Sequence, residues 1–366
     1  MNNIKKIGLS ALAGSLAMVS ANAIEYTMSG GMMTTYSSAN SETATITADS
    51  GQGIGSATDL GFTANGELDN GFTVKYFMSV DTNAALSNTS SQMTIGMGSL
   101  GTLQYNNIAG SKANGIDDIT PNAYNETWDT LTASSSSGTA AALGTITLNN
   151  PSHFGSHTGS GSVDYRIPAQ EMDGTTINAS VTYDPNAGVG AAAKGGVATS
   201  GAPSGMAYTL QVAHESGLEV GLGYEDVNTL VSADGAKGVT TSTGYVKYAM
   251  GGVTIAYQES YLDAGTRAPV VTTVETVGAS DKDQESSMFG IAYTGGDVTV
   301  SYGESEVEHK GVGVTAALAK IELTSIQAAY TMGAMTISAA MSETDNSAGI
   351  LNDKYSETTL AVSFAF

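Results

Sequence analysis

Apolar and polar residues alternate along this chain in segments of roughly ten residues, from one end to the other, and side chains that alternate so belong to opposite faces of a β-strand. Phe72, Val74, Tyr76, Met78 and Val80 share one face, with Thr73, Lys75, Phe77, Ser79 and Asp81 on the other. Ile177, Ala179, Val181 and Tyr183 oppose Thr176, Asn178, Ser180 and Thr182. Leu218, Val220, Leu222 and Tyr224 oppose Glu219, Gly221, Gly223 and Glu225. The last segment sets Leu360, Val362, Phe364 and Phe366 against Thr359, Ala361, Ser363 and Ala365. The same pattern predicts strands over 25–36, 60–69, 71–81, 91–98, 101–107, 162–168, 174–184 and 205–214. It continues over 217–227, 242–250, 252–262, 286–294, 297–306, 321–331, 334–344 and 355–366, which makes sixteen.

The connections say where so many apolar faces go. Short turns such as Leu68–Gly71, Ser99–Gly101, Glu215–Gly217, Gly251-Gly252 and Gly295-Gly296 alternate with long polar loops. Glycine accepts the positive φ of tight turns. Short turns at one end and long loops at the other are the pattern of a transmembrane antiparallel barrel. About ten residues at ~3.3 Å each, tilted ~45°, cover its ~25 Å apolar band. Closure also removes the unpaired edges that lipid would not tolerate. Tyr248, Tyr293 and Tyr330 each precede a glycine turn, at spacings of 45 and 37 residues that are too unequal for a solenoid. At the end of a hairpin such a ring rests at the lipid–water boundary. Core tyrosines in a soluble sandwich are the alternative, and they leave the alternation of short turns and long loops unexplained.

Composition agrees. Lys5 and Lys6 precede an apolar run from Ile7 to Val19, followed by Ala21-Asn22-Ala23, which predicts a secretory signal peptide over 1–23 and a barrel over 24–366. With two lysines lost, the net charge of −22 becomes −24. The chain has no cysteine, so an exported protein of this kind relies on burial and backbone pairing. Charged residues are 13% of the chain, against roughly 25% in soluble domains. The acidic balance argues against nucleic acid as a partner.

At this point the chain resembles the trimeric general outer-membrane porins, especially those of alphaproteobacterial type. Ile95–Tyr105 (IGMGSLGTLQY) is similar to the family's fourth-to-fifth strand hairpin, and Ala57–Phe62 (ATDLGF) to its second strand. Tyr165–Pro168 (YRIP) resembles the start of its sixth strand, and the terminal Phe366, preceded by Phe364, resembles its assembly signal. The resemblance implies an all-β barrel in the cell outer membrane and a homotrimer. It also implies contact with outer-membrane lipid, lipopolysaccharide and the assembly machinery, and a third loop folded into the lumen. Here that loop runs over 107–161, and its first half carries Asp117, Asp118, Glu126 and Asp129 beside Lys112. Arg166 matches a basic wall position of the family. Lys75 joins it by parity, and Asp164 and Asp59 complete the expected pore lining. Asp59 and Asn107 stand where many relatives carry arginine, and the family's Pro-Glu-Phe-Gly-Gly loop motif is absent.

Other chemistry finds little support. His153 and His157 are four apart in a Gly/Ser loop, which does not set them on one helical face, and His214 and His309 lie far away in sequence. No nucleophile elbow occurs. Gly188–Lys194 (GVGAAAK) lacks the Gly-Lys-Ser/Thr ending of a phosphate loop. Asp281, Asp283 and Glu285 lack the pattern of an EF-hand and read as a solvated loop tip, with divalent bridging to lipopolysaccharide as the alternative. No cofactor, metal or catalysis is expected. The expectation is a water-filled channel for passive diffusion of small hydrophilic solutes and ions, cation-preferring because the loop acids Asp117, Asp118, Glu126 and Asp129 oppose only Arg166, Lys75 and Lys112. A solute-specific channel and a non-conducting surface structural or adhesion barrel remain as alternatives.

Overall fold

The computed structural model describes residues 24–42, 51–81, 86–127, 152–187, 203–228, 238–263, 265, 283–310, 319–349 and 351–366. The predicted signal peptide, Asp129, Asp281 and Gly188–Lys194 lie outside them. The first strands are β1 (Glu25–Ser41), β2 (Gly51–Glu67), β3 (Thr73–Asp81), β4 (Ser87–Gly96), β5 (Thr102–Ile108) and β6 (Ser162–Arg166). Then come β7 (Gln170–Met172), β8 (Thr175–Asp184), β9 (Gly205–His214), β10 (Leu218–Val227), β11 (Val239–Met250) and β12 (Val253–Asp263). The chain ends with β13 (Asp283–Gly295), β14 (Val298–Lys310), β15 (Ile321–Met332), β16 (Met335–Asp345) and β17 (Lys354–Ala365). All pairings are antiparallel, and β1 pairs with both β2 and β17, so the sheet closes into a barrel.

Sixteen barrel strands result, because β6 and β7 both pair with β8 and are two pieces of one strand. The expected continuous strand over 162–168 is thus corrected. Pro168 sits in the gap and has no N–H to give to the ladder. The second strand also differs from expectation, starting at Gly51 instead of residue 60. Its glycine-rich first half pairs with β1 from Ala39↔Gly51 onward. Strand β4 begins four residues before the expected start at 91, which leaves only a short connection after β3.

The two faces are inverted relative to a soluble protein. On β10 the apolar series Leu218, Val220, Leu222 and Tyr224 is exposed, Leu222 at 60%, while Glu225 is wholly buried. On β12, Val253, Ile255, Tyr257 and Tyr261 face out, and Gln258 and Ser260 are buried. A continuous exposed apolar surface of this kind requires lipid, not water, around it. Tyr248, Tyr293 and Tyr330 are exposed on that outer face at the short-turn end, as the turn positions predict. Toward the loop end the outer face of β14 turns acidic, with Lys320 held between Glu306 (3.0 Å) and Glu322 (3.1 Å). Among the described residues no helix is long and apolar enough to cross a membrane.

Candidate functional site

Residues 109–127 leave β5 and pack against the inner faces of strands across the barrel. Their backbone is irregular, so its N–H and C=O groups need partners other than a ladder. Glutamine supplies both a donor and an acceptor at the end of a reaching side chain. At the loop's root, Gln92 Nε2 donates to the carbonyls of Ile108 and Ala109 (3.0 Å each), and Gln104 Nε2 to that of Gly110 (2.8 Å). Farther on, the buried Gln258 of β12 donates to the carbonyls of Ile116 and Asp117 (3.0 Å each) and accepts the Ile119 N–H (2.9 Å). Ser301 of β14 accepts the Ala123 N–H (2.9 Å). Gln327 of β15 accepts the Tyr124 N–H (2.8 Å) and donates to the Asn125 carbonyl (2.6 Å). The Tyr124 hydroxyl reaches Met33 Sδ on β1 (3.6 Å).

Glycines make room for the same segment. A Cβ at Gly290 of β13 would lie 2.9 Å from both Thr120 and Pro121, and one at Gly303 of β14 would strike Thr127. The returning arm, residues 152–161, is seated likewise. Its Phe154 packs with Ala113, Ile116, Ala207 and Tyr245 in a small buried cluster. His153 pairs with Gln284 of β13 (Nε2 to Oε1, 3.1 Å), and burial pushes its pKa down. The Thr158 hydroxyl donates to Glu225 (2.8 Å), with His157 Nδ1 3.5 Å from the same carboxylate.

The expected lining residues divide into groups. Asp164 faces inward but is completely covered. It accepts the Lys112 N–H (2.8 Å) and the Thr182 hydroxyl (2.6 Å), and Arg166 Nη2 lies 3.3 Å away. It therefore anchors the loop's root. Asp117 and Asp118 brace their own turn: Asp118 Oδ1 accepts the Thr120 N–H (2.6 Å) and hydroxyl (2.7 Å), and Asp117 Oδ1 the Asp118 N–H (3.0 Å). Glu126, farther along the segment, is half-buried.

Lys112 is half-buried close to Arg166, and burial first, then that guanidinium, lower its pKa. Sequence parity had not singled out Lys247 and Glu219, which form a 2.9 Å ion pair on the inner face below the loop. Glu219 also accepts the Tyr245 hydroxyl (2.7 Å). The opposite wall is barer. There Asp59 and Lys75 are exposed to the lumen, Asp59 is the cross-strand partner of Asp81, and Lys75 that of Asn65.

His214 bonds Ser216 in a short turn (2.8 Å), and His309 of β14 is the cross-strand partner of Gln284, the residue that His153 meets. Among the described residues no group of three or more potential metal-ligating side chains forms. What the arrangement offers is a barrel interior with polar walls, a segment tethered to them and fixed charges.

A family model described as Gram-negative porin matches residues 8–366. No curated protein matches the chain by sequence. Among solved structures, it is similar to the anion-selective porin from Comamonas acidovorans (12% identity, TM-score 0.61, covering 94% of this chain and 100% of that one). It is also similar to OmpF of Salmonella typhi in complex with daunomycin (14%, TM-score 0.62, 94% and 98%). The trimer form of OmpT from Vibrio cholerae gives 13% identity and a TM-score of 0.58, covering 94% and 99%.

Proposed function

The chain belongs to the Gram-negative porins, non-enzymatic barrels of the outer membrane, and from that premise we propose that it is a diffusion channel for small hydrophilic solutes and ions that prefers cations. The observation that carries the channel reading is the inversion of faces: apolar residues ring the outside of a closed sheet and polar ones line the inside. The segment 107–161 is the constriction, since its described parts are tethered to the inner faces of β12, β14 and β15. Nothing in this passage involves chemistry. Width and lining charge set what passes.

Cation preference rests on the wall the loop leaves uncovered. Asp59, Glu67, Asp81 and Glu357 are on the inner face of β2, β3 and β17, where Lys75 is the one lysine or arginine, since Lys354 of β17 faces outward. A net negative lining within low-dielectric walls concentrates cations. The anion-selective porin from Comamonas acidovorans shares the fold, so the fold does not decide the sign and these side chains must. Homotrimeric assembly is supported by the family and by the trimer form of the Vibrio OmpT. Lipopolysaccharide around the outer face, and an assembly machinery that reads Phe366, complete the reading. In planar bilayers under a potassium chloride gradient, the reversal potential should show potassium favoured, and Asp59→Asn with Asp81→Asn should weaken the preference. Chloride selectivity would refute the electrostatic part. The absence of any open-channel current would refute the whole.

A further inference from the structure

Phe154 has no exposed surface, although it belongs to an irregular segment inside a polar lumen. It fits there because the wall is notched. Gly223 faces inward on β10, and a Cβ built on it would lie 2.6 and 2.8 Å from Phe154 Cε1 and Cε2, and closer still to Cζ. The tip of the ring therefore fills the space that a side chain at 223 would need. Ala113 and Ile116 of the outgoing arm, Ala207 of β9 and Tyr245 of β11 form one buried cluster with that ring. The cluster around one side chain thus joins both arms of the loop to the barrel wall.

We propose that Phe154, seated in the Gly223 notch, is the positioning residue that holds the loop at a fixed distance from the opposite wall and so sets the channel's cross-section. This rests on the reading of 107–161 as the constriction. The glutamine and serine tethers satisfy the loop's backbone, but each replaces a hydrogen bond that water supplies to the same groups once the loop is displaced, so each contributes little net energy. Burial of an aromatic ring is the contribution that water does not replace. A ring tip fitted to a site without a side chain also fixes position, which hydrogen bonds to long flexible glutamines do less sharply.

The test uses the full-length protein carrying Phe154→Ala, Gly223→Ala, Phe154→Leu, or Gly223→Ala together with Phe154→Leu. Leucine lacks the Cε and Cζ atoms that the new Cβ would strike, so it should suppress Gly223→Ala. A merely structural loss would not be repaired in this way. Each variant is scored for folded barrel by heat-modifiable mobility, and single channels are recorded from the folded fraction. Phe154→Ala and Gly223→Ala are expected to lose the single steady conductance level, giving sublevels and a larger mean current. The double variant should regain the steady level. The proposal is overturned if Phe154→Ala records like the parent protein, or if the double variant is no steadier than Gly223→Ala. Should Phe154→Ala fail to fold, Gly223→Ala against the double variant decides alone. A parent protein that never conducts overturns the channel reading instead.

Discussion

Leu222→Arg places a charge where the barrel should meet the lipid interior, and its cost follows from position. Leu222 is four residues from Leu218, which adjoins the short turn, and it is 60% exposed on the outer face. At ~3.3 Å per residue and a ~45° tilt, it stands ~9 Å above the turn, well inside a ~25 Å band. An outward arginine costs ~2–4 kcal/mol at the midplane and ~0–1 near the interfaces, so ~2–3 kcal/mol is expected here. That is ~30–150-fold in the folding equilibrium at ~1.4 kcal/mol per factor of ten.

The lumen control must avoid Gly221, although it faces inward. A Cβ there would run into the Tyr245 ring and come 2.7 Å from its hydroxyl, so a substitution would disturb packing. Thr63→Arg is the better control, because Thr63 shares the inner face of β2 with Asp59 and is half-buried. Urea-titrated folding into vesicles, read by heat-modifiable mobility, should show the loss for Leu222→Arg and little change for Thr63→Arg. Bilayer recordings should show altered conductance only for Thr63→Arg. Equal folding penalties at the two sites would refute the assignment of faces, and with it the barrel's orientation toward lipid.

Phe366→Ser should reduce the yield of folded barrel while the survivors conduct normally. The Phe366 N–H donates to the Gly30 carbonyl (3.0 Å) and the Gly30 N–H to the Phe366 carbonyl (2.8 Å), and the ring lies over Gly30 at the closing seam; unchanged heat-modifiable barrel would contradict this. Acidification should loosen the returning arm. Burial holds the His153 pKa below its ordinary value, with His157 lowering it further and Gln284 and Glu225 opposing, so the seating it supports is complete above about pH 6.5 and fades as pH falls through the depressed value. His153→Gln should remove that dependence from the current noise, and a variant as pH-sensitive as the parent would rule His153 out.

The strands were legible because a barrel wall gives each face one chemistry, so alternation survives in almost every segment. It failed where the chemistry was missing. Residues 51–57, Gly-Gln-Gly-Ile-Gly-Ser-Ala, have too few large side chains to mark a face, yet their backbone pairs with β1 as well as any other stretch. At Pro168 the pattern carried on where the ladder could not. The acids of the loop were visible as charges, but their work inside the turn was not. Asp117 and Asp118 bind neighbours one to three residues away, and only the folded turn brings those groups to them.

The loop's seat was hidden for a different reason. Gln258, Gln284 and Gln327, and the glycines at 223, 290 and 303, occupy inward positions that any polar wall would present. Their common property is neutrality. A tether made of lysines and aspartates would hold the loop and set the field of the pore with the same groups, so that one could not change without the other. Glutamine satisfies irregular backbone without adding charge, and glycine gives space without adding anything. The charges on the opposite wall, Asp59, Asp81 and Lys75, set ion preference separately from the tether. Substitutions among these neutral seat residues should therefore change conductance and its steadiness, and substitutions among those charges should change selectivity, with little crossing between the two.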